Sequence, residues 1–284
     1  MSTSCMRTDI RQGGFSLIEV AIVMVIVAIL LTTIGLPLAA QVEARRRDET
    51  QRMLEEAKDA VLGFAVANSR FPCPATASSG GQESFCPAGS PTGPCSGSET
   101  TVVQTHGNCS NFYNGFLPSS ALGLSGLDDQ GFLRDAWGGQ ANRIRYAVYS
   151  PNRNAPSTTI GSEDHPFTRP GGMQSATLSV LGDSTTSPKN YLYVCASGTG
   201  VTAADCGTAA VLTTKAPVLI FSHGPNAMAT IVGTDETENL LASNNKVFVS
   251  HTPVTGGANE FDDIMTWIPV SIIIKKMLDA GKLP

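Results

Sequence analysis

The chain has 284 residues, of which 19 are Lys or Arg and 24 are Asp or Glu, so that its formal net charge is −5. This length allows one or two domains with a sizeable core, and the mild acidity argues against a nucleic-acid-binding protein. Charged residues make up only 15% of the chain, whereas 28 glycines and 17 prolines indicate a loop-rich exported protein.

The first predicted element is a long apolar segment near the N-terminus. Residues 15–40 contain 20 apolar residues among 26, and their single charged residue is Glu19. A helix needs about 20 consecutive apolar residues to cross a bilayer, so this segment is long enough for a transmembrane helix. The 14 residues before it form a short polar leader that ends in Gly14.

The helix is predicted to continue beyond the apolar segment, so that the whole helix runs from Phe15 to Asn68. Residues 41–68 are rich in helix-forming residues. Apolar side chains recur there with the spacing of one helix face, namely Leu54, Ala57, Val61, Phe64 and Ala65. Because only this last third is amphipathic, it is the part expected to pack on a soluble domain.

Glu19 marks the N-terminus as functional, because a carboxylate inside an apolar span is energetically costly. Residues 14–19 read GFSLIE, which resembles the cleavage and methylation motif of type IV prepilins and type II secretion pseudopilins. The resemblance implies that prepilin peptidase cleaves after Gly14, that the new N-terminal Phe15 is N-methylated, and that Glu19 supports assembly. It also implies two further partners, an inner-membrane assembly platform and other pilin subunits in a helical filament.

The chemistry of the new N-terminus agrees with this resemblance. The amine of Phe15 would be a cation buried in lipid or in a filament core, where a carboxylate can neutralise it. Glu19 can supply that carboxylate within the same first turn or from a neighbouring subunit. Two other interpretations stay open: a secretory signal cleaved near residues 38–40, and a plain single-span anchor with an incidental glutamate.

Six of the seven cysteines follow the helix, and only Cys5 lies in the predicted leader. An even number in a loop-rich exported segment indicates disulfide bonds among Cys73, Cys86, Cys95, Cys109, Cys195 and Cys206. Cys195 and Cys206 are the favoured pair, because their bond would close the loop that follows the strand predicted at 191–195. The first four are expected to pair among themselves. A zinc site is not expected, since no two of the six have CxxC spacing.

The rest of the chain is predicted to form an antiparallel sheet and a closing helix. Short segments rich in β-branched and aromatic residues lie at 143–150, 178–181, 191–195, 217–222 and 246–250. Residues 271–280 are predicted to form the terminal helix. The fold class is therefore α+β and type IV pilin-like, with the long helix packed on an antiparallel sheet and with disulfide-bonded loops.

Three segments of the predicted head domain are also similar to major pseudopilins: 135–138 (DAWG), 221–226 (FSHGPN) and 261–267 (FDDIMTW). Acidic loop residues bind calcium in those proteins. The sequence by itself predicts no metal and no cofactor, because it has no EF-hand spacing. The resemblance nevertheless makes calcium candidates of five carboxylates, namely Asp128, Asp129, Asp135, Asp262 and Asp263.

The chain is predicted not to be an enzyme, because its four histidines are scattered among loops and no nucleophile or phosphate-loop motif occurs. We expect a structural subunit, minor or specialised, of a type IV pilus-like filament, with a role in adhesion, motility or filament priming. The alternatives are a pseudopilin of a type II secretion system and a membrane-anchored periplasmic binding protein that never polymerises.

The predicted organisation has four parts: a leader at 1–14, a transmembrane and filament-core helix at 15–40, an amphipathic continuation at 41–68, and a head domain at 69–284. The resemblance implies that the chain crosses the inner membrane once before assembly. After assembly it would lie in a surface pilus or in a periplasmic pseudopilus.

Overall fold

The computed structural model describes residues 14, 16–91, 93–150, 165–175, 190–227, 233–240, 245–254, 256 and 259–283, with the side chains of 30–39 outside this set. By its internal contacts the chain divides into two compact units, residues 1–45 and residues 46–284. Phe15 and all of the predicted leader except Gly14 lie outside the described residues.

Helix α1 runs from Leu17 to Asn68, close to the predicted bounds. In the first unit its apolar side chains are exposed along 17–29, from 88% at Leu17 to 43% at Val27. Among the described residues, no helical stretch is both long enough and apolar enough to cross a membrane. Part of the predicted span, Phe15 and the side chains of 30–39, lies outside those residues.

In the second unit, the C-terminal part of α1 buries the predicted apolar stripe. Leu54, Ala57, Val61 and Ala65 are fully buried in the main core. Phe64 is half-buried, and the guanidinium of Arg70 lies 4.9 Å from the centre of its ring. The amphipathic spacing therefore predicted the packed face of this part of the helix.

The described part of the second unit contains seven strands: β1 Gly115–Phe116, β2 Arg145–Val148, β3 Leu192–Cys195, β4 Val211–Ala216, β5 Val218–Ser222, β6 Val247–Val249 and β7 Ile264–Ile268. Its further helices are α2 Gly172–Ser175, α3 Thr234–Leu240 and α4 Val270–Asp279. A short 3-10 turn at Gly224–Asn226 follows β5. The fold is thus α+β, as predicted.

The first sheet has the strand order β1-β2-β5-β7, and all of its neighbouring strands are antiparallel. Every residue of β5 is buried, which explains why this strand reads as a continuous apolar run in the sequence. Helix α4 buries Ile273 and Met277 in the same core. Because Asp262 and Asp263 immediately precede β7, and the 3-10 turn follows β5, these two loops meet at one end of the sheet.

The second sheet corrects the prediction of a single antiparallel sheet. Its order is β4-β3-β6, and β3 and β6 are parallel. A parallel pair needs a long crossover connection, and here the chain between β3 and β6 includes β4, β5 and α3. The sequence pattern marks both strands but carries no information on this non-local pairing.

Most of the predicted elements are present within a residue or two of their expected bounds. The segments at 143–150, 191–195, 217–222 and 246–250 correspond to β2, β3, β5 and β6, and the predicted helix at 271–280 is α4. The strand predicted at 178–181 lies outside the described residues. Strands β1, β4 and β7 and helices α2 and α3 are additional elements.

Candidate functional site: the N-terminal motif and an acidic cluster

The N-terminal motif places Glu19 in the first turn of α1. Gly14 and Ser16 are exposed, and the Ser16 carbonyl accepts hydrogen bonds from the amides of Glu19 at 3.0 Å and Val20 at 3.2 Å. Ser is a favoured residue at the start of a helix, and an acidic residue is favoured in the first turn by the helix dipole. Glu19 is exposed, so its carboxylate is accessible to a partner.

Asp128 is held by protein groups rather than left for a metal ion. One carboxylate oxygen lies 2.9 Å from a guanidinium nitrogen of Arg143 and 3.0 Å from one of Arg134. The other oxygen accepts the amide N–H groups of Gln130 and Phe132, each at 2.9 Å. Burial alone would raise the pKa of Asp128, but these four donors lower it overall.

Asp129 and Asp135 also lie apart from any group of metal-binding side chains among the described residues. Asp129 is 84% exposed at its side chain. Asp135 is buried and accepts hydrogen bonds from Ser222 Oγ at 2.6 Å and Asn142 Nδ2 at 3.1 Å. Burial raises the pKa of Asp135 although these hydrogen bonds oppose the shift. Asp135 therefore ties the 135–142 turn to the end of β5.

Asp262 and Asp263 are brought together with Glu236 of α3, a residue that no motif in the sequence marks as a candidate ligand. The three are buried, and each offers a carboxylate oxygen that lies within 4.8 Å of the others. Asn226 Nδ2 donates to both oxygens of Glu236, at 3.0 and 2.8 Å. The backbone N–H of Asp262 donates to the Glu236 Oε1 at 2.9 Å. We call Glu236, Asp262 and Asp263 the acidic cluster.

Asp263 is bonded to two neighbouring side chains. Its Oδ2 accepts from Asn239 Nδ2 at 2.6 Å, and its Oδ1 lies 3.4 Å from His223 Nδ1. Asp262 is different, because its buried Oδ1 has no hydrogen-bond partner. Burial, together with the charges of Glu236 and Asp263, raises the pKa of Asp262 to about 8.

Gly224 closes one side of the acidic cluster. It has φ 67°, a left-handed conformation that favours glycine, and a Cβ there would lie 2.8 Å from the Asp262 carbonyl oxygen and clash with Asp262 Oδ1. Any larger residue would therefore crowd the unpartnered carboxylate. The cluster fits a hard divalent cation, because it offers three carboxylates and one buried oxygen that lacks a partner.

The sequence contained a weak signal for Glu236. Residues 234–240 read TDETENL, a short acidic run that resembles a solvated surface helix more than a ligand segment. Glu236 and Asn239 are nevertheless its buried residues. Glu236 and Asn239 lie one helical turn apart on the same face of α3. Their burial can be recognised only once the strands and loops packed against that face are known.

All six cysteines after the helix form disulfide bonds. Cys195 is bonded to Cys206, the pair favoured from the sequence. The first four pair among themselves, as Cys73–Cys109 and Cys86–Cys95. The bonds therefore brace the loop-rich segment that follows α1 and the loop between β3 and β4.

Comparison of the sequence with models of known protein families finds a match at the N-terminus. Residues 10–35 match the family model described as the prokaryotic N-terminal methylation motif. No curated protein and no solved structure matches the chain. The matched residues include Gly14, Phe15 and Glu19, on which the resemblance to prepilins rests. The chain therefore carries the N-terminal methylation motif of type IV prepilin- and pseudopilin-like proteins.

Proposed function

We propose that the chain is a structural subunit of a type IV pilus-like filament, and that it is a minor or specialised pilin. The observation that carries the proposal is the methylation motif at residues 10–35. In this proposal prepilin peptidase cleaves after Gly14, Phe15 becomes the methylated N-terminus, and the apolar half of α1 enters the membrane and then the filament core. The large head would adhere to a surface or prime assembly.

Two features of the molecule support a role in assembly. The apolar side chains of residues 17–29 are exposed in the single chain, and exposed apolar surface of this extent marks a protein or membrane interaction site. The second unit buries its own core, including the C-terminal part of α1. A polymerising N-terminus joined to an independently packed head is the arrangement that a filament subunit needs.

The first experiment is intact-mass analysis of the chain recovered from cell envelopes. We expect a mass that corresponds to loss of residues 1–14 and gain of one methyl group on Phe15. A chain that retains Met1 would contradict the proposal, and so would cleavage near residues 38–40, which a secretory signal predicts. The same measurement in a strain without prepilin peptidase should return the uncleaved chain.

A second experiment separates the pilin from the secretion pseudopilin. We expect the protein in filaments sheared from the cell surface, and we expect secretion of exported enzymes to be unchanged in a deletion strain. Loss of enzyme secretion with surface filaments intact would favour the pseudopilin instead. Absence from every filament fraction, with the chain retained in the membrane, would favour an anchored binding protein.

A further inference from the structure

We infer that Arg145, Asn114 and Phe116 form a binding site for one carboxylate group at the β1 end of the first sheet. The guanidinium of Arg145 supplies the positive charge, the side-chain amide of Asn114 supplies a further donor, and the ring of Phe116 covers one face of the guanidinium. The carboxylate would belong to a small acid or to an acidic side chain of a partner protein. The inference goes beyond the proposed function and holds whether or not the chain enters a filament.

The register of the first sheet explains the position of Arg145. In β2 this residue lies opposite Phe116 of β1 on one side and opposite Phe221 of β5 on the other. Directly opposite residues of neighbouring strands project from the same face of a sheet. The guanidinium carbon of Arg145 lies 4.3 Å from the centre of the Phe116 ring, a favourable contact between a cation and an aromatic face. Phe116 therefore fixes the orientation of the guanidinium.

The positive charge of Arg145 has no counter-ion among the described residues. Within those residues its one hydrogen bond is long, because Nη1 lies 3.5 Å from Asn114 Oδ1, and its Nε is buried without a partner. Burial, and then the charge of Arg143, lower the pKa of Arg145 to about 10. A partly buried cation without a partner is costly, and a bound anion would remove much of that cost.

Two donors of the site face solvent. Arg145 Nη2 and Asn114 Nδ2 have no hydrogen-bond partner in the described part of the chain, and neither belongs to the buried unpartnered atoms there. The end of a guanidinium, formed by Nη1 and Nη2, can donate in parallel to the two oxygens of a carboxylate. Because the Asn114 side chain lies beside Nη1, its Nδ2 can donate a third hydrogen bond to the same group.

Asn114 is held in place before any ligand binds. It ends a turn in which Asn111 Oδ1 accepts from the backbone N–H groups of Tyr113 at 3.2 Å and of Asn114 at 2.9 Å. Asn111 Nδ2 donates in return to the Asn114 carbonyl at 2.8 Å. Asparagine side chains commonly close turns in this way. A donor that is already ordered loses little conformational entropy when it binds, which favours binding.

The single available charge favours a monoanion. Arg143, the other cation that acts on Arg145, is already occupied, because its guanidinium donates to Asp128 Oδ2 at 2.9 Å and to Gln130 Oε1. A phosphate group carries about −1.5 to −2 at neutral pH and would need a second free cation. A carboxylate carries one charge, which Arg145 alone balances.

The test uses the full chain in detergent at neutral pH, titrated with sodium acetate while NaCl keeps the ionic strength constant. We expect a rise in Tm of roughly 3 to 6 °C at about a tenfold excess over Kd. Arg145→Met keeps the apolar stem but removes the charge, and it should abolish the rise. The matched control is Lys276→Met, which removes an exposed charge on α4 and should respond like the wild type. No rise in the wild type, or an equal rise in Arg145→Met, would overturn the inference.

Asn114→Asp gives the sharpest result, because it places a carboxylate beside Arg145 within the chain itself. In acetate-free buffer its Tm should exceed that of the wild type, because the guanidinium gains a counter-ion. Acetate should then raise the Tm no further, since the site is already filled. A full response of Asn114→Asp to acetate would refute the site.

A second titration separates the two sources of the carboxylate. Its probe is a blocked tripeptide with a central glutamate, and the matched control peptide has glutamine in that place. Tighter binding of the glutamate peptide than of acetate would assign the site to an acidic side chain of a partner protein, whereas tighter binding of acetate would assign it to a small acid. Binding of neither carboxylate, or equal binding of the glutamate and glutamine peptides, would contradict the inference.

Discussion

Arg70 and Glu83 form a buried ion pair immediately after helix α1. Arg70 Nη2 lies 2.8 Å from Glu83 Oε2, and both side chains are more than nine-tenths buried. Glu83 Oε1 also accepts the backbone N–H of Cys73 at 2.8 Å, and Arg70 donates to the carbonyl of Phe71. The pair therefore fixes the path of the chain from the helix into the disulfide-bonded loop.

Glu83→Gln should destabilise the protein by roughly 3 to 5 kcal/mol, because it leaves the guanidinium of Arg70 buried without its counter-charge. Urea unfolding at neutral pH measures the free-energy change. The control is Asp279→Asn, which removes the exposed pair of Lys275 and Asp279 and should cost about 0.5 kcal/mol or less. Equal effects of the two substitutions would show that the buried pair contributes nothing beyond a surface pair.

The three disulfides should differ in their contributions according to the lengths of the loops they close. Their sequence separations are 36 residues for Cys73–Cys109, 11 for Cys195–Cys206 and 9 for Cys86–Cys95. Chain entropy alone gives about 3.8, about 2.8 and about 2.6 kcal/mol in that order, so the two short loops are expected to be nearly equal. Paired Cys→Ala variants, compared by urea unfolding, test the order. A Cys86–Cys95 variant less stable than the Cys73–Cys109 variant would contradict the entropic account.

How far the sequence predicts the fold depends on whether an element carries its own pattern. The apolar stripe on α1 and the apolar run of β5 can be recognised in the sequence, and both correctly predict which residues are buried. Strand β4 shows no such pattern. Its first two residues, Val211 and Leu212, are consecutive apolar residues that are both exposed, so β4 lacks the alternation of buried apolar and exposed polar side chains that marks a half-buried strand. Strand β7 is half-buried over most of its length and reads equally well as a loop.

The acidic cluster illustrates the same limit at the candidate site. Asp262 and Asp263 are adjacent in the sequence and were singled out, whereas Glu236 lies 26 residues earlier on a short acidic helix. The five candidate aspartates look alike in the sequence. They differ in the structure because Asp128 is paired with two arginines, whereas Asp262 lies beside the carboxylates of Glu236 and Asp263, whose charges raise its pKa. Such neighbours are set by tertiary contacts, which residue spacing does not encode.

Asp128 should make the protein sensitive to acid. The pKa of Asp128 is lower in the folded protein than in the unfolded chain. Ionised Asp128 therefore stabilises the fold fully at pH values above its unfolded pKa, which is about 3.9. This stabilisation is lost as the pH falls through the folded pKa. Asp128→Asn should be less stable than the wild type at pH 7, and the difference should shrink on acidification below about pH 4. Thermal unfolding between neutral and acidic pH measures it. Asp129→Asn should follow the wild type, and a pH-independent difference for Asp128→Asn would contradict the assignment.

Glu19 should be needed for assembly but not for insertion or processing. Glu19→Val removes the carboxylate that can neutralise the new amine of Phe15, and it makes the apolar half of α1 more hydrophobic. We expect the variant to be cleaved and held in the membrane at wild-type levels but lost from sheared filaments, as measured by immunoblotting of each fraction.

The matched control for Glu19→Val is Glu49→Gln, an exposed carboxylate on the same helix beyond the apolar segment. It should enter filaments normally, because it lies 30 residues after Glu19 in the sequence and outside the apolar segment. Normal incorporation of Glu19→Val would show that the carboxylate is not needed for assembly. Loss of both variants would point instead to a general requirement for negative charge along α1.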